Sequence, residues 1–379
     1  MSRVVDADVR RGRRVIVVLA VFGTGFALGG LLLEPLTQEN SVIGLIVLAL
    51  PDGRIRWTEA QQTLLPGLAL AGLLLGPLPL SPWQVLTGLI GGDERLALIV
   101  LEIRLPRVVL GWMVGASLGL SGAALQGLLR NPLAEPGILG VSASAGLGAV
   151  LALYFGLAQV SAWALPLCAL GGALLATASL AVLATRDPNP LGLILAGLAV
   201  SSLAVALTSL ALNLAPNPLA LSEMVLWLLG SLRDRGLNDV ALAAPFMAAG
   251  WVLLLSAGRG LDALTLGEET ARSLGIGLGG LRAQVIGGTA LAVGAATAVT
   301  GAIGFVGLIA PHLLRPWLGH QPGRLLLPSA LAGAVLLMAA DLLVRLVPTR
   351  QELMLGVVTA LIGSPFFLHL LLRGRRTLS

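Results

Sequence analysis

The chain has no lysine and one cysteine, and only 11% of its 379 residues are charged. Each shortage excludes something. Without lysine there is no GxxxxGK[ST] loop to hold a nucleotide's phosphates. Cys168 alone can form neither an internal disulfide nor a cysteine metal cluster. The three histidines, His312, His320 and His369, fall in separate segments without ligand spacing. No carboxylate pair and no nucleophile–base set emerges either, so the chain reads as a conduit whose energy comes from elsewhere. A globular domain usually carries about 25% charged residues, so most of this one faces something other than water.

What is present is apolar sequence: 56% hydrophobic residues, in runs long enough to cross a hydrocarbon core of roughly 30 Å. Strand-like alternation is absent, so the spans are expected to be helices that satisfy their own backbone. Ten candidates stand out: 64–80, 108–126, 138–157, 163–184, 192–213, 240–257, 284–300, a short one at 303–310, 325–346 and 353–372. The basic pI of about 11.0 comes entirely from arginines. They are scattered singly at the ends of apolar runs, whereas a nucleic-acid binder gathers them on one face. With residues 1–14 cytoplasmic, alternation puts 127–137, 185–191, 258–283, 311–324 and 373–379 on the same side. Those segments hold 15 of the 24 arginines, in keeping with the positive-inside rule. The stretch LLRNPLAEPGILG (128–140) is then a cytoplasmic turn, because each residue before a proline resists helix.

The first 60 residues fit this scheme less well. Residues 15–33 are long enough to span, but 42–50 is too short to return. A signal peptide, an extra hairpin, an interfacial helix and a misplaced start all stay open. Further on, VGASLGLSGA (114–123) and VGAATAVTGA (293–302) match at an offset of 179, which also carries Pro132 onto Pro311 and Leu139-Gly140 onto Leu318-Gly319. Related halves around a central path are common in transporters. Glycines 111, 115, 119 and 122 have a plainer use, since small residues let two membrane helices approach closely.

Several long motifs resemble one family. They are RLPRVVLGWMVGASLGLSGAALQGLLRNPLAEPGILGVSASAG (104–146), LTLGEETARSLGI (264–276), GAIGFVGLIAPHLLR (301–315), LLLPSALAGAVLLMAADLLVRL (325–346) and LGVVTALIGSPFF (355–367). Together they resemble, in order from about residue 70 to the end, the FecCD/vitamin B12-importer type of ABC transporter permease. The resemblance implies an all-α polytopic protein of about ten spans in two related halves. An N-terminal extension (1–60) would precede a permease domain (61–379). It implies an inner (plasma) membrane location with both termini cytoplasmic, and no cofactor bound by this chain. The implied partners are a second permease copy, an ABC ATPase subunit in the cytoplasm and a periplasmic or surface-tethered binding protein. Iron–siderophore is the first substrate expectation as the family's commonest use, followed by cobalamin and haem.

Site expectations come from the residues and from the resemblance together. Thr265-x-x-Glu268 reads as a capping box opening a short charged helix, which Gly275 is placed to end. By resemblance Leu266, Gly267, Glu268, Glu269, Ala271, Arg272, Leu274 and Gly275 form the coupling helix that meets the ATPase. Arg104, Arg107 and Arg345 stand at the outer side against the positive-inside trend. They are either headgroup anchors or, by resemblance, the receivers of the binding protein's glutamates, with Asp341 pairing to Arg345 one turn away. Span 192–213 carries Ser201, Ser202, Thr208 and Ser209 and is the expected translocation path, narrowing at Asn189, Pro190 and Leu191. The rival reading is an ion-coupled transporter using Asp341 or Glu102 as proton carrier.

Overall fold

The computed structural model describes residues 57–76, 78–186, 190–347 and 352–376, by backbone alone at 57–63, 181, 183–186, 190–191 and 369–376. Most of the N-terminal extension, residues 1–56, lies outside the described residues. Helices account for the fold: α1 (Trp57–Leu74), α2 (Pro82–Leu89), α3 (Glu94–Leu128), α4 (Val141–Tyr154), α5 (Leu157–Val160), α6 (Ala164–Arg186), α7 (Pro190–Asn213), α8 (Pro218–Leu228), α9 (Leu237–Ser256), α10 (Gly258–Leu264), α11 (Glu268–Ser273), α12 (Leu278–Thr300), α13 (Val306–Leu318), α14 (Pro322–Leu346) and α15 (Leu355–Arg376). A 3-10 turn, Pro136–Leu139, precedes α4, and among the described residues there is no strand.

Each of the ten expected spans meets a helix. Among the described residues α3, α7, α9, α12 and α14 are long and apolar enough to cross a membrane, while α4, the apolar parts of α1, α6 and α15, and α8 are shorter. The eighth expected span is the poorest match. Residues 301–304 are not helical, Phe305 takes a left-handed φ of 67°, and only then does α13 begin. At 13 residues α13 falls short of the ~20 a crossing needs. Three helix starts escaped the span reading although their signals are in the sequence. Ser81 and Gln84 form a reciprocal capping box under Pro82. Asp93 caps the start of α3, and Asn217 caps α8 with Pro218 at its first position.

The core is α3 packed against α14, with α12 alongside. In their most apolar windows α3 and α12 are 89% and 78% buried, whereas α7 and α9 are 22% buried and lie at the periphery. The α3–α14 contact is backbone on backbone. A Cβ added to Gly119 would sit 2.0 Å from the Ser329 carbonyl, and one on Gly333 2.2 Å from the Gly115 carbonyl. Between helices surrounded by lipid, such close approach replaces the hydrophobic drive that water would supply. The two repeat copies lie on α3 and α12, which touch each other. Their downstream glycines, Gly140 and Gly319, both adopt positive φ (72° and 79°) just past a helical turn. The copies differ at their ends: Ser121-Gly122 lies within α3, while Gly301 already ends α12.

α3 and α14 run antiparallel, from an Arg107–Asp341 contact at one end to a Gly127–Pro322 contact at the other. Twenty helical residues separate Arg107 from Gly127, about 30 Å. The core therefore has two polar ends, an arginine end and a loop-helix end.

Candidate functional site

At the loop-helix end, α10 and α11 form the charged segment that the sequence anticipates, with different internal wiring. Thr265 Oγ1 donates to its own turn, to the Asp262 carbonyl at 2.7 Å, so no capping box forms. The residue before α11 is instead Gly267, at φ 102°. Glu268 turns inward. Its carboxylate receives Arg282 Nη2 at 2.9 Å, with Arg130 Nη2 and Arg272 Nη2 each at 3.7 Å. It thus joins α11 to α12 and to the end of α3. Ala271 is fully buried. The helix ends as expected: Ile276 N–H reaches the Ala271 carbonyl and Gly275 N–H the Arg272 carbonyl, with Gly275 at φ 83°. This is a Schellman closure, which needs the left-handed residue that glycine supplies. The face left outward is Leu266 and Leu274, 64% and 60% exposed, flanked by exposed Glu269 and Arg272. Of the eight expected coupling residues, Glu268 and Ala271 therefore face the protein.

The segment 128–140 is a turn that is partly sunk into the protein: Arg130, Pro132 and Gly137 are exposed, while Ala134, Pro136, Leu139 and Gly140 are buried. Gly197 of α7 packs on the Ile138 carbonyl, and Gly140 on Ser201. Gly197 lies seven residues past Pro190, so the turn reaches about 10 Å along α7. Two prolines and Gly140 break the helix, and the freed chain folds back among neighbours. Burial raises the Glu135 carboxyl above its usual range, partly offset by a hydrogen bond from the Phe305 N–H.

The arginine end holds the second cluster. Arg104 Nη1 donates to the carbonyls of Leu73 and Leu74 at 2.6 and 3.0 Å, and Nη2 to that of Leu78. It satisfies the open carbonyls where α1 stops, six residues short of the expected end at residue 80. Arg107 reaches Asp341 through Nε (3.0 Å) and Nη2 (2.8 Å), and Glu352 through Nη1 (3.2 Å). Arg345 pairs with Asp341 one turn away, as expected, and donates to the Gly72 carbonyl at 2.9 Å. Arg104 is 6% exposed, and the side chains of Arg107 and Arg345 are 13% and 5% exposed. Within this single chain the three arginines are largely committed to internal partners rather than freely exposed. They lock α1, α3, α14 and the approach to α15. Asp341, held by two guanidinium groups, is a poor candidate for a mobile proton carrier.

Beside this lock opens a cleft of about 580 Å³, lined by Glu102, Arg107, Arg233, Asp234, Arg235 and Glu352 among others. Here the exposed charges are Glu102 and those of the 229–236 loop, which the sequence reading passed over. The side chains of Arg233 and Asp234 are 50% and 83% exposed. Arg235 is more enclosed; burial lowers its pKa against the pull of Asp239 and Asp234, and its Nε has no partner. Two arginines on a loop between helices were the available signal.

The path residues do not share one face. Ser202 and Ser209, seven apart, are exposed, while Ser201 and Thr208, also seven apart, turn toward the protein. Ser201 Oγ donates to the Gly137 carbonyl at 3.4 Å. Ser209 Oγ bonds its own helix at Val205, 2.9 Å away. Asn189 lies outside the described residues, as do the side chains of Pro190 and Leu191.

Known proteins share this architecture. The FecCD transport family matches residues 64–373. The vitamin B12 import system permease protein BtuC of Escherichia coli O9:H4 (strain HS) is 40% identical over 326 residues, 85% of this chain and 96% of that one. An uncharacterized ABC transporter permease protein, YvrB of Bacillus subtilis (strain 168), is 41% identical over 295 residues, 76% of this chain and 83% of that one. A solved structure described as an inward-facing conformation of a metal-chelate type ABC transporter superposes with a TM-score of 0.75 at 32% identity, covering 83% of this chain and 98% of that chain. With ten apolar helical segments among the described residues, a backbone-packed core and relatives matched over 83–98% of their length, the chain is a membrane-embedded ABC importer permease and belongs to the FecCD transport family.

Proposed function

We propose that the chain passes a bulky metal chelate from a binding protein through the membrane, driven by an ATPase subunit docked at the loop-helix end. The observation that carries the substrate class is the 40% identity to a vitamin B12 permease along 96% of its length. It moves cobalamin ahead of iron–siderophore, the sequence's first expectation. The likeness to a metal-chelate type transporter keeps the siderophore as the second reading. On this reading residues 61–379 form one permease domain that works as a homodimer in the inner membrane, both termini cytoplasmic.

The roles follow the geometry. Leu266, Glu269, Arg272 and Leu274 present the face that meets the ATPase, an apolar pair between opposite charges. Gly267 and Gly275 shape its ends, while Glu268 and Ala271 seat it from within. The binding protein's carboxylates meet the arginine end, with Arg233 as the accessible partner and Arg104, Arg107 and Arg345 holding the surface in shape. Ser202 and Ser209, on the exposed face of α7, are the path hydroxyls, with Asn189, Pro190 and Leu191 at its narrow end. Competition decides the substrate. The complex reconstituted with ATPase and binding protein should take up labelled cyanocobalamin, and unlabelled ferric siderophore should not reduce that uptake. Uptake of a ferric siderophore but no cobalamin would reverse the order, and uptake of neither would sink the chelate reading.

A further inference from the structure

α14 begins without a cap of its own. Gln321, its N-cap residue, makes no side-chain capping bond, and Pro322 at the first position has no N–H. The first free donor is Gly323 N–H, and it goes to another helix: Asp262 of α10 accepts it on Oδ1 at 2.7 Å. Asp262 Oδ2 accepts Gln321 Nε2 at 3.0 Å. A carboxylate is well suited to this place, because the open N–H groups and the helix dipole both favour negative charge there. The approach also depends on Gly323 lacking a side chain, since an added Cβ would stand 2.5 Å from Asp262 Oδ2. α10 rests on the same turns: a Cβ on Gly258 would be 3.5 Å from the Gly323 Cα and 3.4 Å from Leu326 Cδ1.

Two carboxylates thus tie the 258–276 segment to the core, and they differ in kind. Glu268 is shared among three arginine side chains, which can change rotamer. Asp262 holds helix backbone, which cannot. α14 in turn is packed backbone-to-backbone on α3, and its far end supplies Asp341 to Arg107 and Arg345.

We propose that Asp262 is the joint through which movement of the 258–276 segment is passed to α14, and along it to the arginine end. The inference rests on the proposed ATPase docking of that segment. Asp262 is a positioning residue: it touches neither nucleotide nor substrate, and acts by keeping α10 and the start of α14 one body.

The test uses the full complex of permease, ATPase subunit and binding protein in proteoliposomes. Asp262→Ala should leave recovery of the ATPase subunit with the permease unchanged. It should lower the stimulation of ATP hydrolysis by loaded binding protein about tenfold, within the usual span of coupling between sites. Asp262→Asn keeps an oxygen for the Gly323 N–H and should restore most of the stimulation. Gly323→Ala, which pushes the carboxylate away, should reproduce the Asp262→Ala loss. A purely structural role would instead lower recovery, thermal stability and hydrolysis together. A second measurement needs no Asp262 variant. In Cys168→Ala permease, spin labels at Thr265→Cys and Arg324→Cys should keep one separation with and without nucleotide. Wild-type stimulation in Asp262→Ala, or a nucleotide-dependent separation between the labels, overturns the joint. If wild-type permease recovers no ATPase subunit at all, the docking reading itself has failed.

Discussion

The two polar ends use their charges in opposite ways. At the arginine end, three arginines meet Asp341, Glu352 and the last carbonyls of α1, and almost none of that charge faces outward. At the loop-helix end, two carboxylates are spent inward, on Arg282 and on the start of α14, and the outward face is left with two exposed leucines. Charge near a membrane is therefore no guide to a docking surface. The arginines that look most available in the sequence are the most committed in the structure, while the residues free to meet a partner are an apolar pair flanked by Glu269 and Arg272, and the charges of a short loop.

The contrast can be tested from its strongest point downward. Asp341→Ala leaves Arg107 and Arg345 buried without their shared partner, and breaking a buried pair from one side costs roughly 3–5 kcal/mol. The expected result is a large loss of thermal stability and of folded protein recovered from membranes, before docking can be assayed. Loss of docking in a protein of normal stability would restore the free-rim reading. At the other end, Leu266→Asp with Leu274→Asp should leave stability unchanged. Each buried leucine is worth ~1.5–3 kcal/mol, so ATPase recovery should fall at least about tenfold. Glu269→Arg is the cleaner charge reversal there, since Glu268→Arg would also break the tie to Arg282.

Glu352→Gln should have a smaller effect than Asp341→Ala, because Arg107 keeps Asp341 and Glu352 is the most accessible member of the cluster. A loss of about 1.5–3 kcal/mol, the worth of a hydrogen bond to a charged group, is expected in thermal unfolding. Smallest is Glu135. Its folded pKa is raised by burial, so the folded state holds the proton more tightly than the unfolded chain does. The penalty is therefore present above the folded pKa and relieved as pH falls through it. Glu135→Gln should be slightly more stable than wild type at neutral pH, with the difference closing in acid. A variant less stable at neutral pH would mean that the charge-assisted bond from Phe305 N–H outweighs burial.

Single residues show where reading the sequence worked. Gly275 sits after a short charged run, and one positive-φ residue is all a Schellman closure requires. The glycines of α3, three and four apart, announced a close helix contact, and Asp341 with Arg345 one turn on announced a pair. The failures were all matters of direction. Thr265 and Glu268 have capping-box spacing, yet Gly267 took the capping position and Glu268 found Arg282 fourteen residues away. LLRNPLAEPGILG reads as a turn and is one, but which of its residues are buried depends on what packs around it.

Composition and period thus determined that this is an all-helical membrane chain, where most of its long apolar helices lie, and that it has no lysine-based nucleotide site of its own. Those properties follow from local rules: backbone bonds must close within each segment, and apolar length must match the hydrocarbon. Which helix lies on which, that Arg107 meets Asp341 and Glu352, and that Asp262 caps a helix 61 residues further along were decided only by the tertiary structure. The partners of a charge in a low-dielectric setting are set by three-dimensional proximity and by the cost of leaving it unpaired, and neither is written in the spacing of residues along the chain.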